Sequence, residues 1–446
     1  MITKIIKSHS ALSLFLLFFV IYNLNMRTIP PSDSISASLM PFSILEYHTL
    51  VLDSYANYFS TIQPFPWMVF QEQGHYYSVY PIVTPLLITP LYILPYIVLK
   101  AIHCPIDALN PSFQLAVLIM EKFCASLIAA LAGMFVYLAL REIVTKKTAI
   151  ITSIIFAVGT STWATSSQNL WQHGLIELFL AILIFMVLRS NGHISVRDAV
   201  IMGIISGLFV FNRPSDSLLV LPIIFYIIKL NDNVTYYFVS VIIAGLPFLT
   251  YNMYYFGRLF GAYSYLADGI SLNNTINVIG ILVSPSRGIL IYSPIVILAF
   301  FGYLEAMKSK DNNLRFFFII AGLAVVLELF VYGGFRMWYA GGSYGPRFLT
   351  GFLPILVLFI GIYLDKPNKD TKLIFFISLL VIWSIFAQVI GAFYAPNGWF
   401  CCVPSGLEED PGRLWNWSDM EIFRTFNAGP YPTNPMTTLK QILELL

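Results

Sequence analysis

The chain alternates long apolar runs with short polar breaks, and many of the runs approach the length of a membrane crossing. A crossing helix needs about 20 apolar residues. Candidate runs fall at 10–26, 113–140, 148–164, 170–188, 199–212, 216–229, 235–256, 289–307, 315–334, 348–364 and 372–394, which predicts eleven transmembrane helices. One further apolar run, 81–102, carries Pro81, Pro85, Pro90 and Pro95. Proline removes a backbone donor and bends a helix. This run therefore predicts short helices dipping into the outer leaflet, inside one long external loop over 27–112. Lys4 and Lys7 precede the first run as they would in a signal peptide, but no small-x-small site follows, so the run reads as a retained anchor.

Composition makes the class plain. Of 446 residues, 58% are hydrophobic and 11% charged, with a mean hydropathy of +0.76. Soluble domains carry about 25% charged residues. The predicted fold is an all-α polytopic membrane protein, with residues 1–394 as the transmembrane domain and the Pro-rich, aromatic 395–446 as a small external cap. A net charge of +2 without a basic cluster predicts no nucleic-acid partner. The four cysteines lack metal-ligand spacing, and Cys401 and Cys402 are adjacent, a poor geometry for a bridge to each other.

Charge orients the spans. With the N-terminus inside, every inner loop carries Lys or Arg, as the positive-inside rule asks. Counting 81–102 as a crossing puts Lys146 and Lys147 outside and scrambles the later loops. Ten of the fourteen inner cations are lysine, whereas eight of the eleven on the outer side are arginine. Topology needs only positive charge, so the switch points to forked, bidentate recognition of phosphate or carboxylate. Arg213, Arg287, Arg336 and Arg347 sit in turns rich in Pro, Gly and aromatics, and SSQNLWQHG (166–174) adds His173. A histidine beside aromatics is also an ordinary structural residue.

The loop after the first run holds three acids, Asp33, Glu46 and Asp53. Asp33 follows Pro30 and Pro31 at an apparent helix start, so it reads either as an N-cap or as a catalytic carboxylate at the membrane surface. A transporter predicts paired repeats and polar groups deep in the spans. Only Glu177, Glu328 and Gln388 meet the second condition, too few for an ion relay.

In combination, SDSISASLMPFSIL, GHYYSVYPIVTPLL, GTSTWATSSQNLWQHG, SPSRGILIYSP, WYAGGSYGPRFL and RLWNWSD resemble the GT-C glycosyltransferases. These are polytopic enzymes that take sugars from polyprenyl-phosphate carriers, among them the protein mannosyltransferases and the aminoarabinose transferase of lipid A. The resemblance is nearest to a prokaryotic branch of that group. It implies an enzyme of the plasma (inner) membrane with its N-terminus in the cytoplasm and its site on the external face. It also implies a polyprenyl-phosphate sugar donor and a glycan, lipid or protein acceptor. Asp33 falls where the family places its catalytic acid, with Asp53 or Glu46 open as the second. Arg287 falls where an arginine approaches the carrier phosphate. Arg347, Arg213, Arg336, His173 and Tyr77 complete the substrate-binding candidates. Ser32 and Ser34 flank Asp33 where an acidic pair is usual, which leaves a divalent metal open. A polyprenyl-linked glycan ligase, leaning on arginines and a histidine without Asp33, is the alternative within the same donor chemistry, and a lipid-linked sugar flippase is a more distant one.

Overall fold

The computed structural model describes residues 9–26, 33–62, 67–264, 271, 277–367, 370–394 and 405–430. The main elements are α1 (His9–Asn23), α2 (Ile35–Tyr47), the hairpin β1 (Val69–Glu72) and β2 (His75–Ser78), α3 (Val83–Ala101), α4 (Pro111–Arg141) and α5 (Lys146–Gly159). Then come α6 (Gln172–Arg189), α7 (Val196–Asn212), α8 (Leu221–Leu230), α9 (Val234–Phe256) and α10 (Leu298–Ala306). The chain continues with α11 (Asn312–Gly334), α12 (Leu353–Leu364), α13 (Thr371–Phe393) and α14 (Glu421–Asn427). All eleven apolar runs are helical. Among the described residues six helices, α3, α4, α6, α9, α11 and α13, are long and apolar enough to cross a membrane.

α4 and α6 form the centre and bury most of their surface, whereas α9, α11 and α13 turn Ile242, Ile243, Phe330, Phe375 and Ile382 outward. Such exposure suits lipid, where small residues rather than hydrophobicity bring helices together. Gly207 of α7 shows this, since a Cβ there would stand 2.6 Å from the Val241 carbonyl of α9.

The two ends of the bundle differ. At one end, Thr145, Ser195, Asp311 and Asp370 cap α5, α7, α11 and α13 by accepting backbone N–H groups. At the other end the helices break into irregular turns, a π-turn at Thr162–Ser166 and 3-10 turns at Pro214–Val220 and Arg347–Thr350. Asn212 ties this end together, accepting from Thr84 and donating to the Gln172 carbonyl. Irregular backbone at membrane depth persists only where protein covers it or it lines a cavity.

Two expectations change here. Residues 81–102 are not a series of short helices: Val83–Ala101 is one helix of 19 residues. Pro85 sits in its first turn, where the missing N–H has no intrahelical partner to lose. Pro90 and Pro95 each remove one bond without stopping the helix. Nor does Asp33 cap α2. The helix begins after Ser34, which makes no side-chain cap bond, and the Asp33 oxygens turn elsewhere.

Candidate active site

Asp33 leaves the end of the bundle where α1 stops and meets Arg347, 314 positions along the chain, at 2.7 Å. The Trp67 indole N–H donates to its other oxygen at 2.8 Å, and the Tyr80 hydroxyl is a further donor. Burial pushes the Asp33 carboxyl up, but the Arg347 charge and these hydrogen bonds pull it further down, below the usual carboxylate range. The group is therefore ionised at neutral pH.

Arg347 is shaped by its surroundings. Its guanidinium lies 4.8 Å from the centre of the Trp171 ring, and one nitrogen donates to the Ala340 carbonyl. Its Nε has no hydrogen-bond partner among the described residues. Phe348, the next residue, is the ring around which several candidates gather. His173 stacks on it at 6.5 Å, Arg347 lies 5.9 Å away and Arg213 5.7 Å. The fold thus brings Asp33, Arg347, His173 and Arg213 to one place. Arg213 is fully engaged on one side, paired with Asp216 and lying over Tyr332, with Glu328 buried close by.

The other candidates lie elsewhere or are held by protein groups. Glu46 accepts from Lys100 and Tyr96, at the far end of α2. Asp53 accepts from the Tyr76 N–H and pairs with His75 at the hairpin. Tyr77 packs against Tyr255 and Phe256, and Arg336 is exposed. Arg287 is buried and donates to Glu421 and to the carbonyls of Ser286, Tyr339 and Gly341. Arg287 and Arg347 thereby hold three consecutive carbonyls, 339 to 341, from two directions. Ala340 adopts a φ of 61°, a left-handed conformation that costs a side-chain-bearing residue energy unless its surroundings enforce it. Cys401, Cys402 and Trp399 lie outside the described residues.

Sequence reasoning missed Glu121. It sits inside the 113–140 run, buried, accepting from the Ser34 hydroxyl at 2.5 Å and from the Leu170 N–H at 3.3 Å. An acid within an apolar run was the available signal. Trp67 and Tyr80 gave no signal, because only folding brings them to Asp33. Divalent ions need several hard oxygen ligands. Both Asp33 oxygens already face donors, and no three His, Cys, Asp or Glu side chains cluster among the described residues. The described residues around Asp33 do not fit a metal.

No family model matches the chain, and no curated protein is similar to it in sequence. Solved structures are. The apo oligosaccharyltransferase of Archaeoglobus fulgidus superposes over 96% of this chain with a TM-score of 0.54 at 12% identity, and the chain spans 61% of that protein. ArnT from Cupriavidus metallidurans, solved with undecaprenyl phosphate, covers 85% of this chain and 69% of its own, with a TM-score of 0.51 at 12% identity. The chain has a GT-C-like fold. The archaeal oligosaccharyltransferase AglB from Archaeoglobus fulgidus, in complex with an inhibitory peptide and a dolichol-phosphate, gives a TM-score of 0.52 at 13% identity, over 96% of this chain and 60% of that one. At such identities the GT-C-like fold is what is shared.

Proposed function

We propose that this protein is a membrane glycosyltransferase that moves a sugar from a polyprenyl-phosphate donor to an acceptor hydroxyl. The observation that carries the reading is the Asp33–Arg347 pair, an ionised acid beside a forked cation, at the irregular end of a GT-C-like bundle. The fold neighbours that hold undecaprenyl phosphate and dolichol-phosphate support a lipid-linked donor.

The chemistry follows from two needs. A hydroxyl is a weak nucleophile, and a carboxylate within hydrogen-bond reach can take its proton as it attacks. The bond from the sugar anomeric carbon to phosphate breaks, and the charge left on the phosphate oxygen needs a fixed cation. In this reading Asp33 accepts the proton while Arg347 faces the phosphate. Attack opposite the leaving group gives inversion. Arg347 also regulates the base: while paired to it, Asp33 is a poor proton acceptor. An arriving phosphate competes for the guanidinium and loosens that hold, so base strength rises when donor is present.

Among the arginines, Arg347 carries the phosphate role in this reading and Arg287 a bracing one, because four donor contacts to protein already engage the Arg287 guanidinium. The site is proposed on the external face of the plasma membrane, with 395–446 as a cap over it. Mass spectrometry of polyprenyl-linked sugars and surface glycans, with and without the gene, tests the function. Loss of the protein should leave a charged carrier unconsumed and one glycan unfinished. An unchanged lipid and glycan profile would defeat the reading, and a fully active Asp33→Asn protein would favour a ligase.

A further inference from the structure

Between Glu121 and Arg347 runs the segment Asn169–His173, the approach to α6. It is crowded with buried polar atoms that find no partner among the described residues. They are the Asn169 amide oxygen, the Trp171 indole nitrogen, the Gln172 amide nitrogen and both ring nitrogens of His173, while the Asn169 amide group lies beside the Glu121 carboxylate. Asn169 is 1% exposed, His173 5% and Gln172 8%. Leaving a buried polar group unsatisfied costs about 1–3 kcal/mol, so one such atom is tolerable and a cluster calls for a partner. The cluster is tied together in space. The Leu170 N–H reaches Glu121, the Trp171 N–H reaches the Asn169 carbonyl, and Arg347 lies over the Trp171 ring.

We propose that this segment is the sugar subsite, and that the transferred sugar is a neutral one; the proposal rests on the glycosyltransferase reading above. The groups are mostly neutral donors and acceptors, two amides, an indole and an imidazole, which match ring hydroxyls. The nearby arginines are already paired with acids, Arg347 with Asp33 and Arg213 with Asp216. A charged sugar would upset that balance in a buried place. The donor sugar is favoured over an acceptor saccharide by distance. It is bonded directly to the phosphate that Arg347 would hold, and Trp171 lies against that guanidinium. A site built to hydrogen-bond hydroxyls strongly rejects analogues lacking them.

The test measures binding to purified protein of undecaprenyl or dolichyl phosphate, whichever the parent binds. Each lipid is used bare, carrying a neutral hexose, and carrying an amino sugar. The parent should prefer the neutral hexose form over the bare lipid. Asn169→Ala, Gln172→Ala and the milder Trp171→Phe should each weaken binding of the hexose form by roughly threefold to tenfold, the loss of a hydrogen bond or two. Binding of the bare lipid should stay unchanged in Asn169→Ala and Gln172→Ala, which also shows that these two variants fold. Equal losses for bare and sugar-bearing lipid would overturn the subsite, as would no loss at all, the result expected if ordered water satisfies these atoms. Preference for the amino sugar would overturn the neutral class. A defect confined to acceptor KM would move the segment to the acceptor. If the parent binds no polyprenyl phosphate in any form, the glycosyltransferase reading itself fails.

Discussion

At the residue scale the decisive feature is the environment given to one carboxylate. Asp33→Asn keeps the shape and the hydrogen bond from Trp67 but cannot accept a proton. Transfer should fall by about 10²–10⁴-fold, the usual contribution of a general base, in a product assay on folded protein. The pH dependence carries a sign. The Asp33 carboxyl sits below its ordinary value of about 3.9 because Arg347 and hydrogen bonds outweigh burial. Its contribution to stability is therefore present above that ordinary value and is lost as pH falls through the lowered one. Arg347→Gln removes the lowering charge and leaves the burial. The carboxyl should then titrate higher, and the acid limb of the residual pH–rate profile should move to higher pH; an unmoved limb would detach Arg347 from the base. Glu46→Gln and Asp53→Asn supply the contrast. Their partners are Lys100, Tyr96, His75 and a backbone N–H at partly exposed positions. Such pairs are worth about 0–1 kcal/mol, so both variants should keep activity within a few-fold of the parent. Asp33 was legible in the sequence as an acid beside a membrane run. Its partners were not, because Trp67, Tyr80 and Arg347 are joined to it only by the fold, and chain order carries no record of that meeting.

At the element scale, the site depends on how short irregular turns are held. Glu177 of α6 accepts from Thr162 and Ser166 and so fixes the π-turn after α5. Glu421 of α14 accepts from Arg287, Tyr292 and the Gly345 N–H, fastening the C-terminal segment to the turn that carries Arg347. Arg287 then holds the Tyr339 and Gly341 carbonyls on either side of left-handed Ala340. Removing one partner of a buried ion pair costs about 3–5 kcal/mol because the other charge stays uncompensated. Arg287→Ala and Glu421→Ala should each lower the thermal unfolding midpoint in detergent clearly, and the double variant should cost much less than their sum. Additive losses would mean that the two side chains act independently. The length of the apolar runs predicted the spanning helices, since run length is written locally. It could not reveal that Arg287 braces a loop, because arginine serves phosphate and carboxylate with the same fork. The partner, Glu421, lies 134 residues further on.

At the scale of the whole molecule the placement of α3, a helix long and apolar enough to cross a membrane, decides the topology. Its first turn is tied to Asn212, the last residue of α7, and its last turn to Glu46, the end of α2. Ser34, just before α2, reaches Glu121. Ser126 of α4 donates to Asn23, the last residue of α1, so the part of α4 before Ser126 projects past the end of α1. At 1.5 Å per residue that projection is about 20 Å. α2, α3 and the start of α4 therefore occupy one layer beyond the end of α1, together with Asp33. Leu87, Leu91, Ile93, Leu94 and Ile97 form a broad exposed apolar face on α3, which suits contact with lipid. In the proposed orientation a surface-lying α3 keeps Lys146 and Lys147 on the inner side, and it would place an apolar wall beside the proposed site for a prenyl chain. The expected outcome is that cysteines placed at Ser60 and Asp107, on a background with Cys104, Cys124, Cys401 and Cys402 replaced, both react with a membrane-impermeant reagent from the same side in intact cells. Positions in the α4–α5 turn, such as Glu142, should react only after permeabilisation. If Asp107 needs permeabilisation while Ser60 does not, α3 crosses the membrane. Every later span would then reverse its direction, and the shared layer would have to be abandoned along with the external site.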